Sequence, residues 1–584
     1  MIRKLVRQML TAQIFSALTV SLCLLIDNVM ISRFLGQTGM AAYSLANPIL
    51  LAIGALGSLL AAGVQVACSK SIGMGSQEET NAGYSSALLL GGAISVAFAV
   101  LVALFRSPLA TAMGAGADGA LFNETRDYLL GFGVGAPGSM GALVLVPFLQ
   151  MAGQSNLLIV AVLGMTVADI ALDLLNALVF HGGMLGMGLA SSISYYLAMG
   201  VTAFYFCSKK CVYRFSWKSV SLRKIGELFR GGVPAGFNMA SSVILVFILN
   251  RIFQTTGGEI AIAAYAVVSG IGNAANCITT GIGGVSLTLS GILFNEEDRI
   301  GLKELLELLF LCGVLLGLGM GILLLLVAPA LVSVFIPADG IMKEMAVLGL
   351  RLFALGLIPC CLNNALKNMY QATGRVGLTE IISLLEGAIL PAAAALILGL
   401  IFGTDGVWLH FAVGEALTLL LIGLYIRVKA RALPWKKGAF LLLKEDFGVT
   451  DDRLLEGRIQ SLQDVTAFVR AAEQFCLSMG ETPSLSNKIA LCIEEMAGNT
   501  IKHGFSQDQK EHHLSVRLLS KADSWILRFR DDCRPFDPIH YIPGSPEDAL
   551  GIRLVLAITE KASYTYSMNM NNLTLKLLRS PGSD

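Results

Sequence analysis

"FLQMAGQ" (148–154) recurs as "MYQATGR" (369–375), 221 residues later. "MAAYSLAN" (40–47) recurs as "IAAYAVVS" (262–269), 222 residues later. Either match alone is at the level of chance, but two matches at one offset imply a duplicated unit. The unit shows in the hydropathy. Apolar stretches of about 20 residues, the length that crosses a bilayer as a helix, recur twelve times. They fall near 12–34, 45–69, 85–105, 127–151, 157–180, 187–207, 232–253, 261–290, 304–328, 342–369, 377–402 and 407–427. Each repeated phrase occupies the corresponding helix of a six-helix half. Two six-helix halves of the same direction, with a path between them, is a transporter plan.

Composition divides the chain in two. Of 584 residues, 55% are hydrophobic and only 14% charged, against about 25% charged in a soluble protein. Residues 444–584 hold 36 charged side chains, close to the soluble norm, and the first 443 residues hold the other 47. A membrane block is followed by a soluble tail of one-domain size. The boundaries read as a first lobe 1–220, a second lobe 221–433, a linker 434–454 and a tail domain 455–584. A net charge of +1 gives no nucleic-acid partner. The 11 cysteines show no metal-ligand spacing, and Cys23, Cys68, Cys277, Cys312, Cys360 and Cys361 lie in apolar runs, where a thiol acts as a small hydrophobe. The basic N-terminus "MIRKLVRQML" leads into an apolar run without an A-x-A cleavage site, so it reads as a retained first helix.

Orientation follows from basic loops. "SKKCVYRFSWKSVSLRKIGELFR" (208–230) carries seven Lys and Arg residues against Glu227 alone, and "RVKARALPWKK" (427–437) follows the last span. Six helices separate them, so both face one side. The expectation is a multi-pass plasma-membrane protein with both termini and the tail in the cytoplasm.

Within the membrane block, acids mark the working half. Asp27 lies in "CLLIDNVMISRFLG", and Asp169 and Asp173 lie in "MTVADIALDLLNALVF", one helical turn apart on one face. An acid at the bilayer centre costs about 2.5–3.5 kcal/mol on insertion scales and is rarely idle. Two carboxylates this close suit a site that takes up H⁺ or Na⁺ and gives it back.

These residues bring the block, over nearly all of 1–430, to resemble the MATE (multidrug and toxic compound extrusion) family. The resemblance rests on "LIDNVMISRFLG", "SIGMGSQEE", "FLQMAGQSN", "DIALDLLNALVFHGGMLGMGLASSIS", "MYQATGR" and "FGTDGVWLHFAVGEALT". It implies that Asp27 and Asp173 belong to a cation site in the first lobe. Asp169 stands where that family usually has Asn, and Ser191 where a Thr of the site would lie. Glu386 and Glu415 are the acids implied for the second lobe, while His410 is expected to bond locally and Lys367 to snorkel to the inner interface. The implied mechanism is alternating access, with H⁺ or Na⁺ entry driving the export of an organic, often cationic, solute.

The tail reads as a mixed helix and strand domain, an α/β sandwich. "LQDVTAFVRAAEQFCLSMG" (462–480) and "SLSNKIALCIEEMAGNTIKHGF" have helical period. "HLSVRLLSKADSWILRFRDD" reads as two strands, "LGIRLVLAITEKAS" as a helix and "YTYSMNMNNLTLKLL" as a closing hairpin. Glu495 and Asn499, one turn apart, point the same way: Asn499 can ligand Mg²⁺ through oxygen while Glu495 acts as a base. Asp531 ends a strand, where a carboxylate can accept from an adenine amino group. Gly551 opens a helix whose amides can face phosphate. In this order the three elements resemble the GHKL ATPases, and within them the anti-sigma-factor serine kinases, over about 455–580. "EEMAGNTIKHGF" corresponds to the N box, with Glu495 the catalytic glutamate, Asn499 the Mg²⁺ ligand and His503 the family's histidine. "RDDCRPFDP" corresponds to the adenine box and "DALGIRLVLAITEKASYTY" to the last glycine box. Cys533 stands where that family has the Gly of D-x-G.

The combined expectation is an α-helical polytopic membrane protein of twelve helices with a C-terminal GHKL-like, Mg-ATP-binding domain. Its function is cation-driven export under cytosolic regulation. Its partners would be the bilayer, a small organic solute and a cytosolic STAS-type protein. The alternatives are a membrane-bound serine kinase of anti-sigma type that uses the block as sensor, and a lipid-linked saccharide flippase. No P-loop GxxxxGK[ST] occurs, which excludes an ABC-type motor.

Overall fold

The computed structural model describes residues 2–115, 119–208, 211–336, 339–429, 438–444, 447–505, 512–541 and 550–579. The first lobe comprises α1 (Ile2–Phe34), α2 (Gly36–Gly73), α3 (Gln77–Ala112), α4 (Ala120–Val134), α5 (Ala136–Met151), α6 (Ser155–Leu175) and α7 (Gly183–Phe206). The second comprises α8 (Leu222–Ala275), α9 (Cys277–Asn295), α10 (Arg299–Phe335), α11 (Ile341–Ala354), α12 (Leu357–Ala372), α13 (Val376–Leu384), α14 (Leu390–Phe402), α15 (Thr404–Val407) and α16 (His410–Lys429). Among the described residues, ten helices are long and apolar enough to cross a membrane. Two bent pairs, α4 with α5 (44°) and α11 with α12 (47°), bring the count to twelve. The bent pairs occupy corresponding places in the two lobes, as duplication requires.

The first repeated pair, "FLQMAGQ" (148–154) and "MYQATGR" (369–375), has a structural reason. Each ends a helix in a tight turn with glycine at positive φ, Gly153 at 76° and Gly374 at 77°, a conformation that is strained for a residue with a Cβ. Each also carries a buried glutamine that ties helices together. Gln150 Oε1 accepts from Gln13 Nε2 (3.0 Å) and Gln65 Nε2 (3.2 Å), and Gln371 Nε2 donates to the Gly231 carbonyl at 2.8 Å. Helix starts are capped by sequence: Ser76 for α3, Ser221 for α8 and Asp298 for α10 each accept from a backbone N–H of the first turn, satisfying an otherwise orphaned donor. Gly258, at φ +65°, breaks α8 into a span, Leu222–Gly258, and a shorter apolar helix, Ile260–Ala275.

The lobes meet along α2 and α8. A Cβ on Gly63 would lie 2.0 Å from the Leu228 carbonyl oxygen, and one on Gly232 would lie 2.0 Å from that of Leu59. Only glycine lets the backbones approach this closely, as in other membrane helix pairs. Both crossings lie toward the C-terminal end of α2 and the N-terminal end of α8. The C-terminal tail sits beyond these same ends.

The tail is an antiparallel five-stranded sheet, β1 (Leu454–Ile459), β2 (Leu514–Ser520), β3 (Ser524–Asp531), β4 (Lys561–Ser567) and β5 (Met570–Leu578), in the order β1-β2-β3-β5-β4. The helices α17 (Leu462–Ser478), α18 (Pro483–Asn499) and α19 (Leu550–Ile558) cover one face. A capping box between Ser461 and Asp464 starts α17, and Pro483 after Thr482 starts α18. Alternation in "SWILRFRD" (524–531) sends Trp525, Leu527 and Phe529 into that core and Arg528 and Arg530 to the opposite face. β1 is a strand that the sequence reading left unassigned. Its "LLEGRI" carries a glycine and two charges, and it forms because β2 offers it a full register of partners from Leu454↔Leu519 to Ile459↔Leu514. Part of the linker is not a free tether. Tyr370 Oη donates to the Phe440 carbonyl (2.9 Å), and Arg299 Nε to that of Phe447 (2.8 Å), which fastens it to the second lobe.

Candidate functional site

In the first lobe, α1, α6 and α7 converge on three acids. Asp169 and Asp173, one turn apart on α6, are 2% and 1% exposed. Asp169 is held on both sides. Its Oδ2 accepts from Cys23 Sγ at 2.8 Å, and its Oδ1 accepts from Ser194 Oγ at 3.0 Å. Asp27 stands one turn beyond Cys23 on α1, and ligand atoms of Cys23, Asp27 and Asp169 lie within 4.8 Å of one another. Among the described residues, both Asp173 oxygens and Asp27 Oδ1 are buried without a hydrogen-bond partner. Burying a polar atom unpartnered costs about 1–3 kcal/mol, more for a charged group. The cluster therefore has open acceptors where a proton or small cation fits. The α6–α7 turn is closed by Asn176: Nδ2 donates to the Gly183 carbonyl and Oδ1 accepts from Gly182 N, both at 3.1 Å.

The structure adds two contacts to the reading from sequence. Cys23 is not merely a small hydrophobe, because its thiol is a donor to Asp169. Ser191 turns back to its own helix, Oγ to the Met187 carbonyl at 3.4 Å, and Ser194 is the hydroxyl that reaches Asp169. The spacing from Ser191 to Ser194, nearly one turn on α7, is the signal that both hydroxyls share a face.

The second lobe buries its own charged cluster. Lys367 on α12 pairs with Glu386 and reaches Asn238 Oδ1 of α8 at 3.4 Å. Glu415 on α16 accepts from Asn363 Nδ2 at 2.7 Å. Lys367 is 7% exposed, so it does not snorkel. Glu386 lies across the packed helices and outcompetes the interface as a partner. Glu386 sits in a widened turn, Leu385–Ile389, of the kind often found at functional sites. His410 bonds locally as expected, Nδ1 to the Val407 carbonyl at 2.9 Å.

In the tail, the residues singled out from sequence lie near one end of the sheet. α19 starts on α18: a Cβ on Gly551 would lie 2.0 Å from Glu495 Oε2. Asn499 is the last residue of α18, before a widened turn Thr500–Gly504 that contains His503. That turn meets the end of β3, with a Cβ on Gly504 falling 2.9 Å from Cys533 Sγ. Asp531 Oδ1 accepts from Asn571 Nδ2 (2.7 Å) and Cys533 N (3.1 Å). Asn571 Oδ1 in turn accepts from Phe536 N (3.1 Å) and Tyr564 Oη (2.7 Å). Burial pushes the Asp531 carboxyl above its usual range, partly offset by the Asn571 and Cys533 donors. Sequence reading missed Asn571, which lies on β5 opposite Asp531 in register. Most of the loop leading into α19, 542–549, lies outside the described residues.

Two lobes of six spans, related by a repeat and each holding buried charge, define a transporter-type membrane protein. The MatE family model matches residues 12–175 and again 234–397, the same spacing as the repeated phrases. The chain belongs to the MatE family. It is 24% identical over 398 residues to the multidrug export protein MepA of Staphylococcus saprophyticus, covering 67% of this chain and 86% of that protein. It is 25% identical over 401 residues to MepA of Staphylococcus aureus N315, with the same coverage. Among solved structures, a MATE transporter in complex with MaL6 superposes with TM-score 0.69 at 19% identity, over 74% of this chain and 96% of the other. A MOP-superfamily transporter from Pyrococcus furiosus superposes with TM-score 0.68 at 20% identity, with the same coverage.

Proposed function

We propose that this protein is a secondary exporter of organic, cationic or drug-like solutes, driven by inward movement of H⁺ or Na⁺ through the first-lobe acids. The observation that carries the reading is the open acceptor set of Asp27 and Asp173 beside a braced Asp169, inside a MatE-family lobe. Its relatives' name, multidrug export protein, supplies the solute class. Cys23 and Ser194 hold Asp169 and leave Asp173 free to load and unload. Dye efflux from vesicles with an imposed H⁺ or Na⁺ gradient tests this. Asp173→Asn keeps the shape but removes the chargeable group, so a folded Asp173→Asn protein should lose gradient-driven efflux. Wild-type efflux from it would remove the acids from the mechanism.

The tail is, on this reading, a cytosolic nucleotide-binding regulator. The residues partly fit Mg-ATP. Glu495, Asn499, Asp531 and Gly551 gather at one end of the domain, with Asn499 the candidate Mg²⁺ ligand, Glu495 the base and Asp531 the adenine contact. Asp531 is already engaged by Asn571, and the Cys533 sulfur fills space beside Gly504, so binding should be weak. A Kd from tens of micromolar to millimolar corresponds to roughly −4 to −6 kcal/mol. Calorimetry with Mg-ATP on the full-length protein measures it. Absence of heat from wild type and from Cys533→Gly would strike ATP from the account.

A further inference from the structure

The face of the tail sheet that carries no helices rests on loops of both lobes. Its β2–β3 half meets the second lobe at the turn between α9 and α10, "NEED" (295–298). Arg517 pairs with Asp298, Lys521 with Glu297, and Arg530 with Glu296, while Arg528 Nη2 donates to the Glu296 carbonyl. All three acids of that turn are thus matched by a cation of the sheet. Arg517, Arg530 and Asp298 are buried, where an ion pair is screened little by salt.

The β4–β5 half and the end of β3 meet the first lobe. Met568 N donates to the Met151 carbonyl at 2.7 Å. Asn569 Nδ2 donates to the Gly153 carbonyl at 2.9 Å, and its Oδ1 accepts from Gln154 Nε2 at 3.4 Å. Lys4 of α1 pairs with Asp532 at 3.3 Å, and Ser563 lies against Gly75 in the α2–α3 turn. Met568 and Asn569 hold positive φ, 54° and 57°, which presents the hairpin tip to the α5–α6 turn. A cavity of about 190 Å³, lined by Gly73–Gly75, Glu296, Arg528 and Thr565 among others, lies under the sheet between the two sets of contacts.

We propose that the tail is a clamp: its sheet bridges the two lobes at the end where α2 and α8 already touch, holding that end shut, and one side of the bridge must release for each transport cycle. The proposal rests on the alternating-access reading. A hydrogen-bonded five-stranded sheet is stiff, and a lobe that swings outward at this end leaves either the acidic turn or the hairpin tip behind. The Lys4–Asp532 pair is the place where release can be sensed, since Asp532 follows Asp531 of the candidate nucleotide site.

The test uses full-length protein in lipid nanodiscs, with Cys207, which is exposed, replaced by serine and spin labels at Glu78 and Glu307, one on each lobe near the tail. Lys521→Glu with Arg530→Glu should undock the sheet, broaden the inter-lobe distance toward an open population and raise initial dye efflux severalfold. Adding Glu297→Lys with Glu296→Lys re-forms the pairs in reverse and should restore both readouts. Joining Lys4→Cys to Asp532→Cys with a short bismaleimide should narrow the distance distribution and stop efflux. An undocked protein whose distances match wild type overturns the clamp, and so does a charge swap that fails to restore them. The distances judge the clamp even if no dye is moved, so failure of the export reading is seen separately.

Discussion

At the scale of single residues, the first-lobe site separates hydroxyls that look alike in sequence. Ser194 Oγ lies within hydrogen-bond distance of both Asp169 Oδ1 (3.0 Å) and the Ser191 carbonyl (2.8 Å), whereas Ser191 Oγ reaches the Met187 carbonyl of its own helix at 3.4 Å. Losing a donor to a buried carboxylate costs about 1–3 kcal/mol, and about 1.4 kcal/mol is tenfold in rate. Ser194→Ala should therefore slow gradient-driven efflux by about tenfold or more, while Ser191→Ala stays near wild type. Initial rates in vesicles decide it; equal effects would show that Asp169 does not depend on this donor. In the tail, Cys533 and Asn499 make a similar pair. Cys533→Gly removes the sulfur against Gly504 and should tighten Mg-ATP binding. Asn499→Ala should weaken it only when Mg²⁺ is present, as titrations with and without the metal will show.

At the scale of elements, the close approach of α2 and α8 depends on two glycines facing backbone rather than flexible side chains. The carbonyls of Leu228 and Leu59 cannot move aside without moving a helix, so Gly63→Val or Gly232→Val should force the seam apart. The expected outcomes are a lower melting temperature in detergent and greater labelling of cysteines placed along the seam. The same substitution at Gly92, where an added Cβ meets nothing within 4 Å, is the control and should change neither. The sheet shows a comparable division of labour along one strand. In β3, odd positions build the domain core and even positions carry the arginines that meet the acidic turn. A one-residue slip of register would exchange the two sets.

At the scale of the whole molecule, the tail, the N-terminus of α1, the α2–α3 turn and the basic segment before α8 share one end. Lys4 reaches Asp532, and Lys224 pairs with Glu79 beyond Ser76. If that end is cytoplasmic, the orientation expected from the basic loops, a cysteine at the exposed Lys218 should resist impermeant thiol reagents on intact cells and react once the cells are opened. Ready labelling from outside would reverse the orientation and place the tail on the far side from ATP.

The run of apolar membrane helices and the duplication were set by the sequence alone, because membrane helices are fixed by hydropathy and every backbone group is satisfied within its own segment. The acids were legible for the same reason: Asp27, Asp169 and Asp173 stand out against an apolar background. Most of the tail's elements were also legible, since their periods of 3.6 and 2 are local. What depends on distant residues was decided by the tertiary structure. β1 needed β2. Lys367 needed Glu386, without which the interface is its best partner. Cys23 and Ser194 joined the candidate site only because α1 and α7 pack beside Asp169. The docking of the tail needed Arg517, Lys521 and Arg530, more than 200 residues along the chain from Glu296, Glu297 and Asp298. In sequence those cations are only positions on two strands, and the fold alone brings the acidic turn beneath them.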